Sequence, residues 1–158
     1  MSPRHPLSLV ESRPAVPQAP IVLTDQEREA VIELGLRPTY ALENRHDRDG
    51  DVQMMLSNAS AWMRAAEITS AGKAGRIPPE LRSEIAGLLD EAIPEAQQDL
   101  ESTTRNFRHW RAGDVRHGFP QLAAPETEAL YREYIDHDRH MLHALTSVAA
   151  KLGDGHAQ

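Results

Sequence analysis

The chain has 158 residues, a formal net charge of −7 and no cysteine. This length predicts one domain large enough to bury a hydrophobic core, and the lack of cysteine excludes disulfides, thiolate metal sites and thiol nucleophiles. The negative charge argues against nucleic acid as a partner, and without an apolar run of about eighteen residues or a signal peptide we predict no membrane segment and expect a cytoplasmic protein.

Proline dominates the N-terminal segment. Five of the eleven prolines lie within residues 1–22, and proline at this density disfavours both helical and sheet hydrogen bonding. We therefore predict an extended or disordered arm over residues 1–23, followed by a helical domain over residues 24–153. The arm is either a tail without a role or a segment that packs on a neighbouring subunit. A tail without a role is the simpler alternative, and the second depends on apolar side chains beyond what such a tail requires: Leu7, Leu9, Val10, Val16, Ile21 and Val22.

The first helical signal is a capping box. Thr24 and Glu27 have the spacing in which each residue can bond to the backbone N–H of the other, so a helix should begin here. Gly35 and Pro38 predict that this helix ends after about three turns. Thr39 then predicts a second, short helix that runs to about His46.

A further helical pattern runs over residues 52–70. Gly72, Gly75 and the Pro78-Pro79 pair predict the break that follows it. Apolar residues at spacings of three and four predict its buried face, with Trp62 at the flank. That face comprises Val52, Met55, Leu56, Ala59, Met63 and Ala66.

The second half of the chain predicts two long helical elements. One pattern runs from Pro79 to Trp110, and its phase continues past Pro94, which predicts one kinked helix or two nearly collinear ones. After a loop, Pro125 suits the first position of a last helix that reaches Gly153. Alternating β-type patterns are absent, and aromatic residues make up only 4%. We therefore predict an all-α fold, an up-down bundle of about four main helices preceded by the proline-rich arm.

The last helix carries the strongest chemical pattern. Helical geometry groups Glu133, His137 and His140 in one sector over two turns, beside a broad apolar stripe. The predicted stripe contains Leu130, Tyr131, Tyr134, Ile135, Met141, Leu142, Leu145, Val148, Ala149 and Leu152.

Histidine and carboxylate side chains are ligands for zinc, iron, manganese or nickel. A second helix must complete such a site, and Glu43 and His46 form an E-x-x-H pair that could face the first group. A ferritin-like di-metal site also uses E-x-x-H, but it needs two such motifs and two further glutamates. The chain has one motif, so we assign no family.

Three functions are open at this point. The first is a non-catalytic accessory or scaffold subunit that forms a homo-oligomer or binds a larger protein. The second is a metal-binding bundle enzyme, an oxidoreductase or hydrolase, with Glu133, His137, His140, Glu43 and His46 as ligands. The third is a small-molecule binder with an inter-helix pocket lined by Trp62, Phe107, Trp110 and Tyr134. Nucleophile motifs and phosphate-binding glycine loops are absent from the sequence, which favours the first.

Overall fold

A computed structural model describes residues 18–43, 52–113 and 125–154, with side chains over 18–37, 59–113 and 125–154. Four helices lie in these ranges, which confirms the predicted all-α bundle. Residues 1–17 of the arm that was predicted over residues 1–23 lie outside them, and residues 18–23 are described. In chain order the elements are β1 (Ile21–Val22), α1 (Asp25–Glu43), α2 (Val52–Ala74), β2 (Arg76–Ile77), a 3-10 turn (Pro79–Leu81), α3 (Arg82–Arg111) and α4 (Pro125–Asp154).

Helix α1 lies between α2 and α4, and α3 packs along α4. The core contains apolar side chains from all four helices, together with Ile77 of β2 and Leu23, which follows β1. Its largest fully buried members are Leu34, Ile77, Ile85, Leu89, Val31 and Val148. Burial of such side chains is the main favourable contribution to folding.

The capping box forms as predicted. The Thr24 backbone N–H donates to Glu27 Oε2 over 2.9 Å, and the Glu27 backbone N–H donates to Thr24 Oγ1 over 3.3 Å. Two backbone donors that have no partner inside the helix are thereby satisfied, which explains why α1 begins here.

The predicted end of the first helix is wrong. Helix α1 continues through Gly35 and Pro38 to Glu43, so no separate short helix begins at Thr39. Gly35 serves packing instead of termination, because a Cβ at this position would lie 2.3 Å from Thr69 Oγ1 and 2.7 Å from the Thr69 backbone nitrogen. The missing side chain lets α1 and α2 approach closely.

Helix α2 ends four residues later than predicted. It passes through Gly72, where a Cβ would lie 2.9 Å from the Ile32 backbone nitrogen, and stops before Gly75, whose φ is +74°. A left-handed glycine at the end of a helix is a common termination signal. Two residues then pair antiparallel with β1, Ile77 opposite Ile21, which is the small exception to the prediction that a sheet is improbable.

The predicted buried face of α2 is wrong over the side chains that are described. Ala65, Ile68 and Ala71 are buried, whereas Ala59, Met63 and Ala66 are exposed. The close approach of α1 and α2 at Gly35 and Gly72 turns this side of α2 inward. The predictions for Val52, Met55 and Leu56 fall outside the described side chains.

Helices α3 and α4 agree with their predicted ranges. Helix α3 is a single helix that includes Pro94, and α4 begins at Pro125. The apolar stripe of α4 is buried in its second half, but Leu130 and Tyr134 near its beginning are 45% and 52% exposed. Their inclusion in the buried stripe was wrong, because the end of α3 contacts this part of α4 at Tyr131 and leaves Leu130 and Tyr134 exposed.

Candidate functional site

The three predicted metal ligands on α4 are all exposed. Glu133, His137 and His140 lie on successive turns of the helix, as helical periodicity requires. Among the described residues, no three histidine or acidic side chains converge closely enough to hold a metal ion. Glu43 ends α1 without a described side chain and His46 lies outside the described residues, so the metal site stays a prediction.

His137 borders a cavity of about 290 Å³ between α1, α3 and α4. The volume is at the lower limit of small-molecule sites. Apolar residues form part of its wall, and charged side chains from three helices surround it. The lining residues are Ala30, Glu33, Leu34, Arg37, Ala92, Ala96, Asp99, His137, Asp138, Met141 and Leu145.

Two of the charged groups around this cavity already have partners. Thr103 of α3 donates a hydrogen bond to Asp138 Oδ2 of α4 over 3.1 Å. Arg37 of α1 forms an ion pair with Glu95 of α3. These contacts join three helices at the cavity rim, so these charged groups stabilise the packing of the helices. Sequence periodicity identified His137 here but not the acids and arginine that other helices bring to it.

The predicted aromatic pocket does not bring its four residues into one cluster. Phe107 and Trp110 of α3 stack with ring centroids 6.1 Å apart, and Tyr131 of α4 lies 5.5 Å from Phe107. Trp62 and Tyr134 take no part in the ring contacts of the described residues. The observed cluster therefore fastens the end of α3 to the beginning of α4.

A buried carboxylate links α1 to α4. Glu27 is 3% exposed, and it accepts hydrogen bonds of 2.6 Å from both Ser147 Oγ and Lys151 Nζ. Burial raises the pKa of Glu27, but the hydrogen bonds from Lys151, Ser147 and Thr24 together outweigh burial and leave the pKa below its usual value. All of its oxygen atoms are engaged, so Glu27 is a structural anion and not a free acid or base.

The most unusual surface feature of the described residues is on α2. Ala59, Trp62, Met63 and Ala66 form a stripe at spacings of three and four that points away from α1; we call it the outward face of α2. Met63 is 66% exposed and Trp62 is 37% exposed. Helix α2 thus has two apolar sides, a small-residue side against α1 and a side with larger residues towards solvent.

No helix in the described ranges is long and apolar enough to cross a membrane. Comparison of the chain with protein-family models, with curated proteins and with solved structures gives no match. A functional hypothesis therefore depends on the residues of this chain alone.

Proposed function

We propose that this protein is a non-catalytic accessory or scaffold subunit that associates with itself or with a larger protein, and that the outward face of α2 is its contact surface. The observation that carries the proposal is the exposure of Met63 and Trp62 on a helix whose alanine and glycine side is buried.

The distribution of side chains on α2 supports a contact role. A large apolar side chain gains about 1.5–3 kcal/mol from full burial, so a helix that served only its own bundle would turn its largest apolar residues inward. Here the inner side buries Ile68 together with Ala65, Ala71 and Gly72, and the glycine allows close packing with α1, whereas the larger Met63 and Trp62 lie on the other side. Methionine and tryptophan are enriched at protein interfaces, where they bury area in a partner.

The hydrogen bonds and ion pairs of the polar groups also support a non-catalytic role. Glu27, the most buried carboxylate described, is neutralised by Lys151 and is fully hydrogen-bonded. At the cavity between α1, α3 and α4, Asp138 accepts a hydrogen bond from Thr103, and Arg37 forms an ion pair with Glu95. These groups already serve contacts between helices, which supports a structural role for them.

The test is the mass of the full-length protein in solution. Size-exclusion chromatography with light scattering over a concentration series should show an oligomer, and Met63→Lys should shift it to monomer because the charge cannot be buried in an apolar contact. Leu130→Lys is the matched control, since Leu130 is an exposed apolar residue on α4; it should leave the mass unchanged.

If the wild-type protein is a monomer, partner capture from lysate replaces mass as the measurement. Captured protein should then be lost with Met63→Lys and retained with Leu130→Lys. A monomer that captures no partner, or a Met63→Lys variant with undiminished association, contradicts the proposal.

A further inference from the structure

The cavity of about 290 Å³ between α1, α3 and α4 has an apolar end and a charged end. Two contacts fix its orientation: Thr103 of α3 bonds to Asp138 of α4, and Lys151 of α4 bonds to Glu27 at the beginning of α1. The wall at one level of the bundle is apolar and almost fully buried, with Ala30, Ala92 and Leu145. The wall at the other level is charged, with Arg37, Asp99, His137 and Asp138. We call this space the inter-helix cavity.

The apolar end favours a ligand with an apolar body. Leu34 and Met141 extend the apolar wall towards the charged end. Side chains beside unfilled space lose dispersion contacts, and an apolar group that enters the space restores them. Ala92 and Asp99 are two helical turns apart, so the two ends of the cavity are separated by about 10 Å along α3. A short apolar chain or a single ring can occupy that length.

The charged end carries more negative than positive charge. Arg37 is already paired with Glu95, which lies outside the cavity wall. In contrast, the carboxylates of Glu33 on α1 and Asp99 on α3 form no ion pair or hydrogen bond with any residue that the structure describes. A cationic group that entered the cavity would find two carboxylates, on different helices, that are not engaged by the bundle.

We propose that the inter-helix cavity binds a small primary amine with an apolar body, with its ammonium group near Glu33 and Asp99 and its body against Leu34, Met141 and Leu145. The apolar wall gives the ligand its position, because exposed carboxylates alone hold cations weakly and without selectivity. The carboxylates select the charge of the head group. The volume, at the lower limit of small-molecule sites, excludes large ligands.

Three probes separate the contributions of head group and body. Hexylamine has both, and it is positively charged at neutral pH, as a lysine side chain is. Methylamine has the head group with almost no body, and hexanol has the body without the charge. Titration of the full-length protein, followed by the NMR shifts of its backbone amides, gives the dissociation constants. Hexylamine should bind about tenfold more tightly than either control, and the shifted amides should lie in residues 30–37, 92–99 and 137–145.

Two variants test the two ends of the cavity. Ala96 lines the cavity between them, so Ala96→Leu fills space without a change of charge and should weaken hexylamine binding about tenfold. Asp99→Asn removes a charge at nearly constant volume and should weaken it by about fivefold or more. The Asp99 side chain makes no contact that folding needs, so this variant keeps the test decisive where Ala96→Leu unfolds. Asp90→Asn is the matched control, since Asp90 is an exposed acid of α3 outside the cavity wall; it should leave the dissociation constant unchanged.

The outcomes that overturn the proposal are distinct. Equal dissociation constants for hexylamine and methylamine would reduce the site to an acidic surface, and equal constants for hexylamine and hexanol would remove the role of the carboxylates. Absence of hexylamine binding, or undiminished binding in Asp99→Asn, would also contradict it. None of the cavity wall residues belongs to α2, so the result does not depend on the proposed function of the outward face of α2.

Discussion

Lys151 of α4 donates a hydrogen bond of 2.6 Å to the buried Glu27 carboxylate at the beginning of α1. The same ammonium group donates to the Val22 carbonyl over 3.1 Å. One lysine therefore joins the last helix, the first helix and the N-terminal strand. The contact closes the bundle between residues more than 120 positions apart in sequence.

We expect Glu27→Ala to lower the free energy of unfolding by about 1–3 kcal/mol, because it removes a capping interaction and leaves Ser147 and Lys151 without their acceptor. Urea unfolding followed by circular dichroism measures the change. Glu29→Ala is the control, since Glu29 is an exposed residue of the same helix and its loss should cost little. Equal destabilisation by the two variants would show that Glu27 has no special role.

The low pKa of Glu27 predicts an acid-sensitive fold. Its pKa in the folded protein lies below its usual value of 4.5, so the carboxylate contributes stability that is fully present above that value. This stability is lost as the pH falls below 4.5 through the folded-state pKa, because the folded protein binds the proton less readily than the unfolded chain.

The measurement is urea unfolding of wild-type protein and Glu27→Gln at pH 7 and at several values below 4.5. We expect the stability difference between them to shrink as the pH falls, because the variant has no carboxylate to protonate at this site. A difference that stays constant with pH would contradict the assigned role of the Glu27 charge.

Two glycines should respond oppositely to alanine. Gly35→Ala should lower the free energy of unfolding by about 1–3 kcal/mol, since its Cβ would collide with Thr69 and force α1 away from α2. Gly87→Ala should raise it by about 0.5–1 kcal/mol, because the methyl group meets no described atom and alanine favours the helix. Thermal and urea unfolding of both variants would show whether the two signs differ.

Metal analysis separates the accessory-subunit proposal from the metal-enzyme alternative. Glu133, His137 and His140 are exposed on one helix, and ligands from a single exposed face bind weakly unless another element completes the site. We expect equal, sub-stoichiometric metal in full-length wild-type protein and in His137→Ala. One metal per chain that is lost in His137→Ala but kept in His143→Ala would establish the metal site instead.

Local signals were sufficient for most of the element boundaries. The Thr24–Glu27 capping box and the proline at position 125 act within one helical turn, so sequence spacing identified where α1 and α4 begin. Periodicity likewise identified the all-α class and the helical phase that continues past Pro94 in α3, but it left open one kinked helix or two nearly collinear ones. These features depend on backbone geometry and on neighbours three or four residues away, which a sequence displays directly.

Tertiary contacts decided where α1 ends, which side of α2 is buried, and how Glu27 is stabilised. Gly35 looked like a helix end and proved to be a contact point for α2, and Met63 of α2 looked like core and proved exposed. Both outcomes have one cause: close approach of two helices favours the smallest side chains between them, whatever the hydrophobicity of the opposite side. The Glu27–Lys151 contact was hidden for a related reason, because a buried carboxylate is stable only beside a partner that the fold supplies.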